Sequence, residues 1–336
     1  MSRPHLLLLL FVSLPLVLAC GSRQTYYKTS VVGVVPVLSP EWVWQQGSMI
    51  LMSDSQLERM ALHARNPVHR VMAFDKLASK RSQRCLDILL ANLTDTSSLK
   101  VQWFDLTLDT DVSSHTLQVA KDDSLLFTKE QRHHIDSVIV FGSGMDHLYR
   151  LPSALRLIGT EGAYERIREL CAVGDPYLLQ ALAEYRQPAD IPLIINALLK
   201  DKELFIDPEN HLEELGQRTI NDVIQKESAL EAILEWRDEA FIPALDAFRD
   251  PQLLHSGLGP KGVRLFIRCV MGYDNEWAYH LIEDLFEKGG KKMAEYAEPL
   301  YVAYYKENEP VRFLPLIEKY GKQPYDWESG ASFLYD

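Results

Sequence analysis

The sequence predicts a mainly α chain of stacked helical hairpins, with one small β or loop insertion near residues 99–126. Three observations carry this. Apolar residues recur at spacings of three and four through most of the chain, an octet linking an aromatic-Arg pair to a proline recurs in the second half, and the spacing drifts toward alternation only between Leu99 and Leu126. With 336 residues and 47% apolar composition, the chain can bury a core in one elongated domain or two globular ones.

At the amino terminus Arg3 precedes an apolar run from Leu6 to Leu18, which leads into Leu16-Val17-Leu18-Ala19-Cys20-Gly21. The run is shorter than the roughly 20 helical residues that cross a bilayer, and its single flanking charge suits a cleavable export signal. Residues 17–20 resemble the lipobox of bacterial lipoproteins. The resemblance implies a signal peptide over 1–19 and Cys20 as the acylated first residue of the mature chain. The residues alone also fit a secretory signal cut elsewhere, with Cys20 a bystander. Acylation in that family exceeds the single chain that anchors only marginally. Gly21 in place of an aspartate implies the periplasmic face of an outer membrane. Residues 20–40 then form the lipidated N-terminus and a linker, in which the Val31–Leu38 run, broken by Gly33 and Pro36, suits an extended segment or a short edge strand.

Residues 41–98 read as an N-terminal helical region. Ser53-Asp54-Ser55 can cap a helix bearing Leu57, Met60, Ala61 and Ala64 on one stripe, and Pro67 ends or offsets it. Val68–Leu77 and Arg84–Leu93 make two further amphipathic helices. In the 99–126 insertion, Val101, Trp103, Leu106 and Leu108 lie near alternation, and Asp109-Thr110-Asp111 and Asp122-Asp123 read as turns, so a hairpin or a long ordered loop is expected. Thr128 with Gln131 forms a capping box for a helix through Val140, which Gly142-Ser143-Gly144 stops.

Residues 127–320 are assigned to helical repeats. Tyr185-Arg186-Gln187-Pro188-Ala189-Asp190-Ile191-Pro192 matches Trp236-Arg237-Asp238-Glu239-Ala240-Phe241-Ile242-Pro243 in register. Tyr273-Asp274-Asn275-Glu276 before His280 keeps the spacing without the proline, and Tyr305-Lys306 before Phe313-Leu314-Pro315 keeps the elements with three extra residues. Proline in a helix's first turn forfeits no hydrogen bond, and a single hairpin cannot bury both of its faces, so copies stack. The pattern resembles the HEAT repeat family from about 145 to 320, and more faintly over 55–95. That implies an irregular HEAT-like α-solenoid, irregular because the anchors Pro192, Pro243, His280 and Pro315 are separated by 51, 37 and 35 residues. The 321–336 tail carries Tyr325, Trp327, Phe333 and Tyr335 without helical period, as a lid over the last repeat or as an interface segment.

A formal charge of −12 argues against a nucleic-acid binder. The charge is uneven. From Arg59 to Arg84 seven basic residues accompany one acid, Asp75, whereas 203–250 is strongly acidic. Three cysteines besides Cys20, namely Cys85, Cys171 and Cys269, lie in apolar helical pattern with no metal or redox spacing, so they read as small buried hydrophobes. No histidine pair stands at zinc-ligand spacing, and no cofactor or metal is expected.

Two function classes follow. The first is a non-enzymatic envelope lipoprotein, a scaffold or an immunity protein that masks a toxin. It would hold a basic protein partner on Glu213, Glu214, Glu231, Glu235, Asp238 and Glu239, and be tethered to the membrane through Cys20. The second is an envelope hydrolase or sugar-binding protein with a site assembled around Trp103, Asp105 and His147.

Overall fold

Ser53 opens the helix over Asp54–His63 through a complete capping box. Its hydroxyl accepts from the Gln56 N–H at 3.3 Å, and the Gln56 side chain accepts from the Ser53 N–H at 2.8 Å. The computed structural model describes residues 25–27, 31–32, 35–36, 47, 49, 51–103, 106–122, 126–200, 216–294, 296 and 311–320. The signal segment, Cys20, Asp105, Glu213, Glu214 and the aromatic tail lie outside them. The chain is mainly α and divides into two compact units, Met1–Tyr149 and Arg150–Asp336.

In the first unit, α1 (Asp54–His63) and α2 (Pro67–Ser79) are separated by Asn66, which caps α2 through Val68 N–H, with Pro67 in its first turn. Lys80, just past α2, pairs with Asp54 at the start of α1, so the two helices run antiparallel. With α3 (Cys85–Asn92) they close a core of Leu57, Ala61, Val71, Phe74, Leu77, Ile88 and Leu89. The insertion is a hairpin of β4 (Ser98–Trp103) and β5 (Leu106–Asp111), antiparallel with Ser98 opposite Asp111 and Trp103 opposite Leu106. A short strand β1 (Thr25–Tyr27) adds to β4 in parallel, and β2 (Val31–Val32) pairs with β3 (Val35–Pro36).

The sequence reading departs from the structure in three places here. Residues 112–122, expected in loop or strand, form helix α4 (Val112–Asp122). Asp109-Thr110-Asp111, expected as a turn, completes β5, and the Asp111 carboxylate then accepts from Ser114 N–H at 2.7 Å, so one residue ends the strand and starts the helix. Finally, α5 (Lys129–Phe141), capped by Thr128 and Gln131 as expected, packs through Ile135 and Ile139 into the core of the first unit, not with the repeats.

The second unit begins with α6 (Leu151–Arg156), α7 (Ala163–Ala172), α8 (Leu179–Ala183) and α9 (Ile191–Leu199). It continues through α10 (Gly216–Trp236), α11 (Ile242–Asp246), α12 (Pro251–Met271), α13 (Glu276–Ala294) and α14 (Leu314–Tyr320). Helix α10 packs against α8, α9 and α12, and α13 against α12 and α14. Its core holds Ile194, Leu198, Leu230, Ile233, Phe241, Leu245, Phe248, Leu258, Phe266, Leu281 and Phe286, all 2% exposed or less. Helix α12 kinks at Gly259 (φ 65°), where Pro260 removes a donor; nearby, the buried Lys226 ammonium donates to the Gly257 carbonyl at 3.2 Å.

Cys85, Cys171 and Cys269 are reduced and buried. Burial, then the charge of Asp54, pushes the Cys85 thiol up to about 11. Burial first, then Asp175 and Asp190, raises Cys171, and burial raises Cys269, whose thiol also donates to the Leu230 carbonyl. These three thiols should resist a thiol reagent in native buffer near pH 8 and titrate fully in denaturant. Because their folded pKa values lie above the unfolded one, their stabilisation is complete below the ordinary thiol range and is lost as pH rises through it, for Cys85 up to about 11. Alkaline urea melts measure that loss.

Candidate functional site

The repeated octet folds into repeated geometry. Arg186, Arg237 and Asp274, each following an aromatic residue at or just past a helix end, have φ values of 50°, 58° and 42°. That left-handed conformation normally favours glycine. In the first two copies a 3₁₀ turn follows, Pro188–Asp190 or Glu239–Phe241, and the next helix starts with Pro192 or Pro243 in its first turn. The third copy lacks the proline. There the Asn275 carboxamide accepts from Ala278 N–H at 2.9 Å, and α13 begins directly at Glu276. A 3₁₀ turn at Val311–Phe313 likewise leads into α14. The closing aromatics are held by ring contacts: Tyr185 on Tyr164 (5.2 Å between centroids), Trp236 on Phe241 (5.4 Å) and Tyr273 on Trp277 (5.7 Å).

Successive turns are tied to one another. Arg186 Nη2 donates to the Glu235 carbonyl at 3.3 Å. The Tyr273 hydroxyl donates to the Asp238 carbonyl at 2.7 Å, and burial first, then Cys269 and Asp238, raises its pKa. Arg312 Nε donates to the Asp274 carbonyl at 3.2 Å, and its guanidinium also pairs with the Asp274 and Glu276 carboxylates. The turns thus form a ladder with hydrogen-bonded rungs at its edge. Sequence reasoning found the aromatic-Arg pair but missed the rungs, because their acceptors are main-chain carbonyls 35 to 49 residues away.

The six acids proposed from sequence divide by environment. Glu213 and Glu214 lie outside the described residues. Glu231 is half-buried beside Lys261 (3.7 Å), whose ammonium also meets Glu227 at 2.9 Å. The bond to Glu227 is the main reason the Lys261 pKa is raised. Asp238 caps the 3₁₀ turn, accepting from Ala240 N–H at 2.9 Å. Glu235 and Glu239 project into solvent. Of the four described acids, only these two are exposed and have side chains free of a capping or lysine-pairing role among the described residues.

A second polar group lies at the start of α12. Arg249 donates to Asp246 (2.6 Å) and Asp284 (2.6 Å), and Trp277 Nε1 donates to Asp246 at 3.0 Å. Burial works to raise the Asp246 carboxyl, but the bonds from Arg249 and Trp277 outweigh it and hold it below its ordinary value. The Arg249 bond holds Asp284 low as well. Beside them, Arg249, Asp250, Gln252, His255 and Lys288 line a cavity of about 720 Å³. Its cations Arg249 and Lys288 both pair with Asp284, so it presents little net charge to a ligand.

In the first unit, His147 Nε2 lies 2.8 Å from Ser113 Oγ, and that hydroxyl donates to Asp111 Oδ1 at 2.5 Å. A nucleophilic serine needs its base oriented by the carboxylate. Here the carboxylate accepts the serine's hydrogen bond and caps α4, and Ser113 is 0% exposed. The arrangement ties a helix start to the segment after α5. Asp105 and the side chain of Trp103 lie outside what the structure describes. No group of three or more His, Cys, Asp or Glu side chains among the described residues is placed to hold a metal ion, and no described helix is long and apolar enough to cross a membrane. The chain matches no protein-family model, and searches of curated proteins and of solved structures likewise return no match.

Proposed function

We propose that this chain is a lipid-anchored protein of the bacterial cell envelope that holds a basic protein partner, as an assembly scaffold or as an immunity protein masking a toxin. Cys20 is its tether, on the periplasmic face of the outer membrane. The second unit is a HEAT-like stack whose turn ladder presents the partner-binding edge. The observation that carries the reading is the pair of exposed acids, Glu235 at the end of α10 and Glu239 in the 3₁₀ turn after it, in a segment whose Glu235 and Asp238 carbonyls are bonded by Arg186 and Tyr273. A preorganised edge binds without the entropy loss of ordering a loop, and its charge steers and selects a basic partner.

Cross-linking in the native envelope, followed by salt-graded elution, tests this. One partner should be captured and released at high salt, and the Glu235→Lys/Glu239→Lys chain should capture it about tenfold less. Glu235 and Glu239 are better probes than Asp238, whose replacement would also uncap its turn. Palmitate incorporation lost in Cys20→Ala tests the tether separately. Unchanged capture by the charge-reversed chain would defeat the reading.

A further inference from the structure

Along and beside helix α1, Arg59, Arg65, Lys80, Arg81 and Arg84 outnumber the acids Asp54, Glu58 and Asp87. Lys80 pairs with Asp54 at 3.0 Å and Arg84 pairs with Glu58, which lays both cations along the outer side of α1. Asp54 and Glu58, one helical turn apart, form one row. The adjacent exposed row continues with Arg59 and His63, and exposed Arg65 follows the end of the helix. Next to Lys80, Arg81 is exposed with φ 52°, held there as α2 closes through Ser82 N–H to the Leu77 carbonyl (3.0 Å). A non-glycine residue in this conformation stores backbone strain.

Elsewhere in the segment Arg70 is committed to Asp95 (2.8 Å) and Asp75 to His115 (3.0 Å). Arg59, Arg65 and Arg81 have no carboxylate at ion-pair distance among the described residues. The only other exposed acid on the adjoining α3 is Asp87. The band is therefore net positive in a chain whose formal charge is −12. Helix α1 begins only 34 residues after Cys20.

We propose that the α1 face and the Arg81 turn dock on anionic phospholipid headgroups. The inference rests on the reading of Cys20 as the tether. An acyl anchor fixes the chain at a membrane without orienting it, whereas exposed guanidinium groups can bond headgroup phosphates directly. Lys and Arg near an anionic surface contribute additively within a Debye length. Such docking would place α1 against the bilayer and hold the first unit in one orientation. A lipid surface suits this band better than nucleic acid, because the rest of the chain is acidic and would repel an extended polyanion, while a bilayer meets only the face turned toward it.

The test uses the chain from Gly21, which lacks the acyl site and retains every described element. Sedimentation with phosphatidylcholine vesicles containing about one-third phosphatidylglycerol should show binding that is absent from pure phosphatidylcholine vesicles and lost at high salt. The Arg59→Glu/Arg65→Glu/Arg81→Glu chain should bind at least about tenfold more weakly, with its circular dichroism melt confirming an intact fold. No binding to the anionic vesicles, equal binding to neutral ones, or unaltered binding by the triple variant would overturn the proposal. So would reversal that abolishes self-association but not vesicle binding, which would assign the band to the acidic surface of a second copy. None of these results bears on palmitate incorporation at Cys20 or on partner capture through Glu235 and Glu239, so failure here is separable from failure of the proposed function.

Discussion

Phe248→Ala should lower the stability of the folded chain by about 3–5 kcal/mol. The ring is fully buried, lies 5.8 Å from that of Phe266, and packs against Gly257 so closely that a Cβ there would stand 3.4 Å from Cε1. Deleting the ring removes its apolar contacts and leaves a cavity walled by the kinked part of α12. The Lys226 bond to the Gly257 carbonyl pins that wall, so it can close in only partly. Phe248→Leu, which refills most of the volume, should cost under about 1.5 kcal/mol. Urea titration followed by circular dichroism compares the two. A loss below about 1 kcal/mol for alanine would mean that α11 and α12 are not packed as described. The consequence reaches the ladder, because α11 connects Phe248 to the turn bearing Glu239. A chain loosened there should also lose partner capture.

The helical elements were legible in the sequence wherever local chemistry was sufficient to specify them. Ser53 with Gln56 and Thr128 with Gln131 are capping boxes in sequence and in space. The aromatic-Arg-Pro octet marked the turns because its left-handed residue and its first-turn proline set the local backbone, even though Arg186 also reaches the following turn. What was not legible depended on partners distant in the chain. Helix α4 escaped notice because Val112, Ser113, Ser114, Thr116 and Val119 have weak helix propensity. It is stabilised instead by the Asp111 cap, by His115 bonded to Asp75 on α2, and by Thr116 returning its hydroxyl to the Val112 carbonyl. Tertiary contact outweighs propensity there. The candidate site was half legible. Counting acids located the region, but only geometry separates Glu235 and Glu239 from Glu231, which lies beside Lys261, and Asp238, which serves as a cap.

Asp190→Ala should cost about 2–4 kcal/mol. Its carboxylate is 0% exposed, yet it accepts from Arg168 Nε at 2.8 Å and from the Tyr164 hydroxyl at 3.0 Å. Alanine would leave the phenol without this acceptor and the guanidinium without its counter-charge. Arg168 is 51% exposed, so water can resolvate it, which places the expected loss below that of a fully buried broken pair. Asp190→Asn keeps one acceptor oxygen and should recover part of the loss. Adding Tyr164→Phe to Asp190→Ala should then cost less than the two changes taken separately, because both remove the same bond. Strict additivity would show that Tyr164 and Asp190 do not interact. Burial first, and then the bond to Asp190, raises the Tyr164 phenol, so in Asp190→Ala that phenol should ionise at lower pH, an independent spectroscopic check. Asp190 closes the 3₁₀ turn that follows Arg186. Its loss should therefore loosen the rung from Arg186 to the Glu235 carbonyl and weaken partner capture even where the global fold survives. Retained capture in a destabilised Asp190→Ala chain would mean that the binding edge does not depend on that rung.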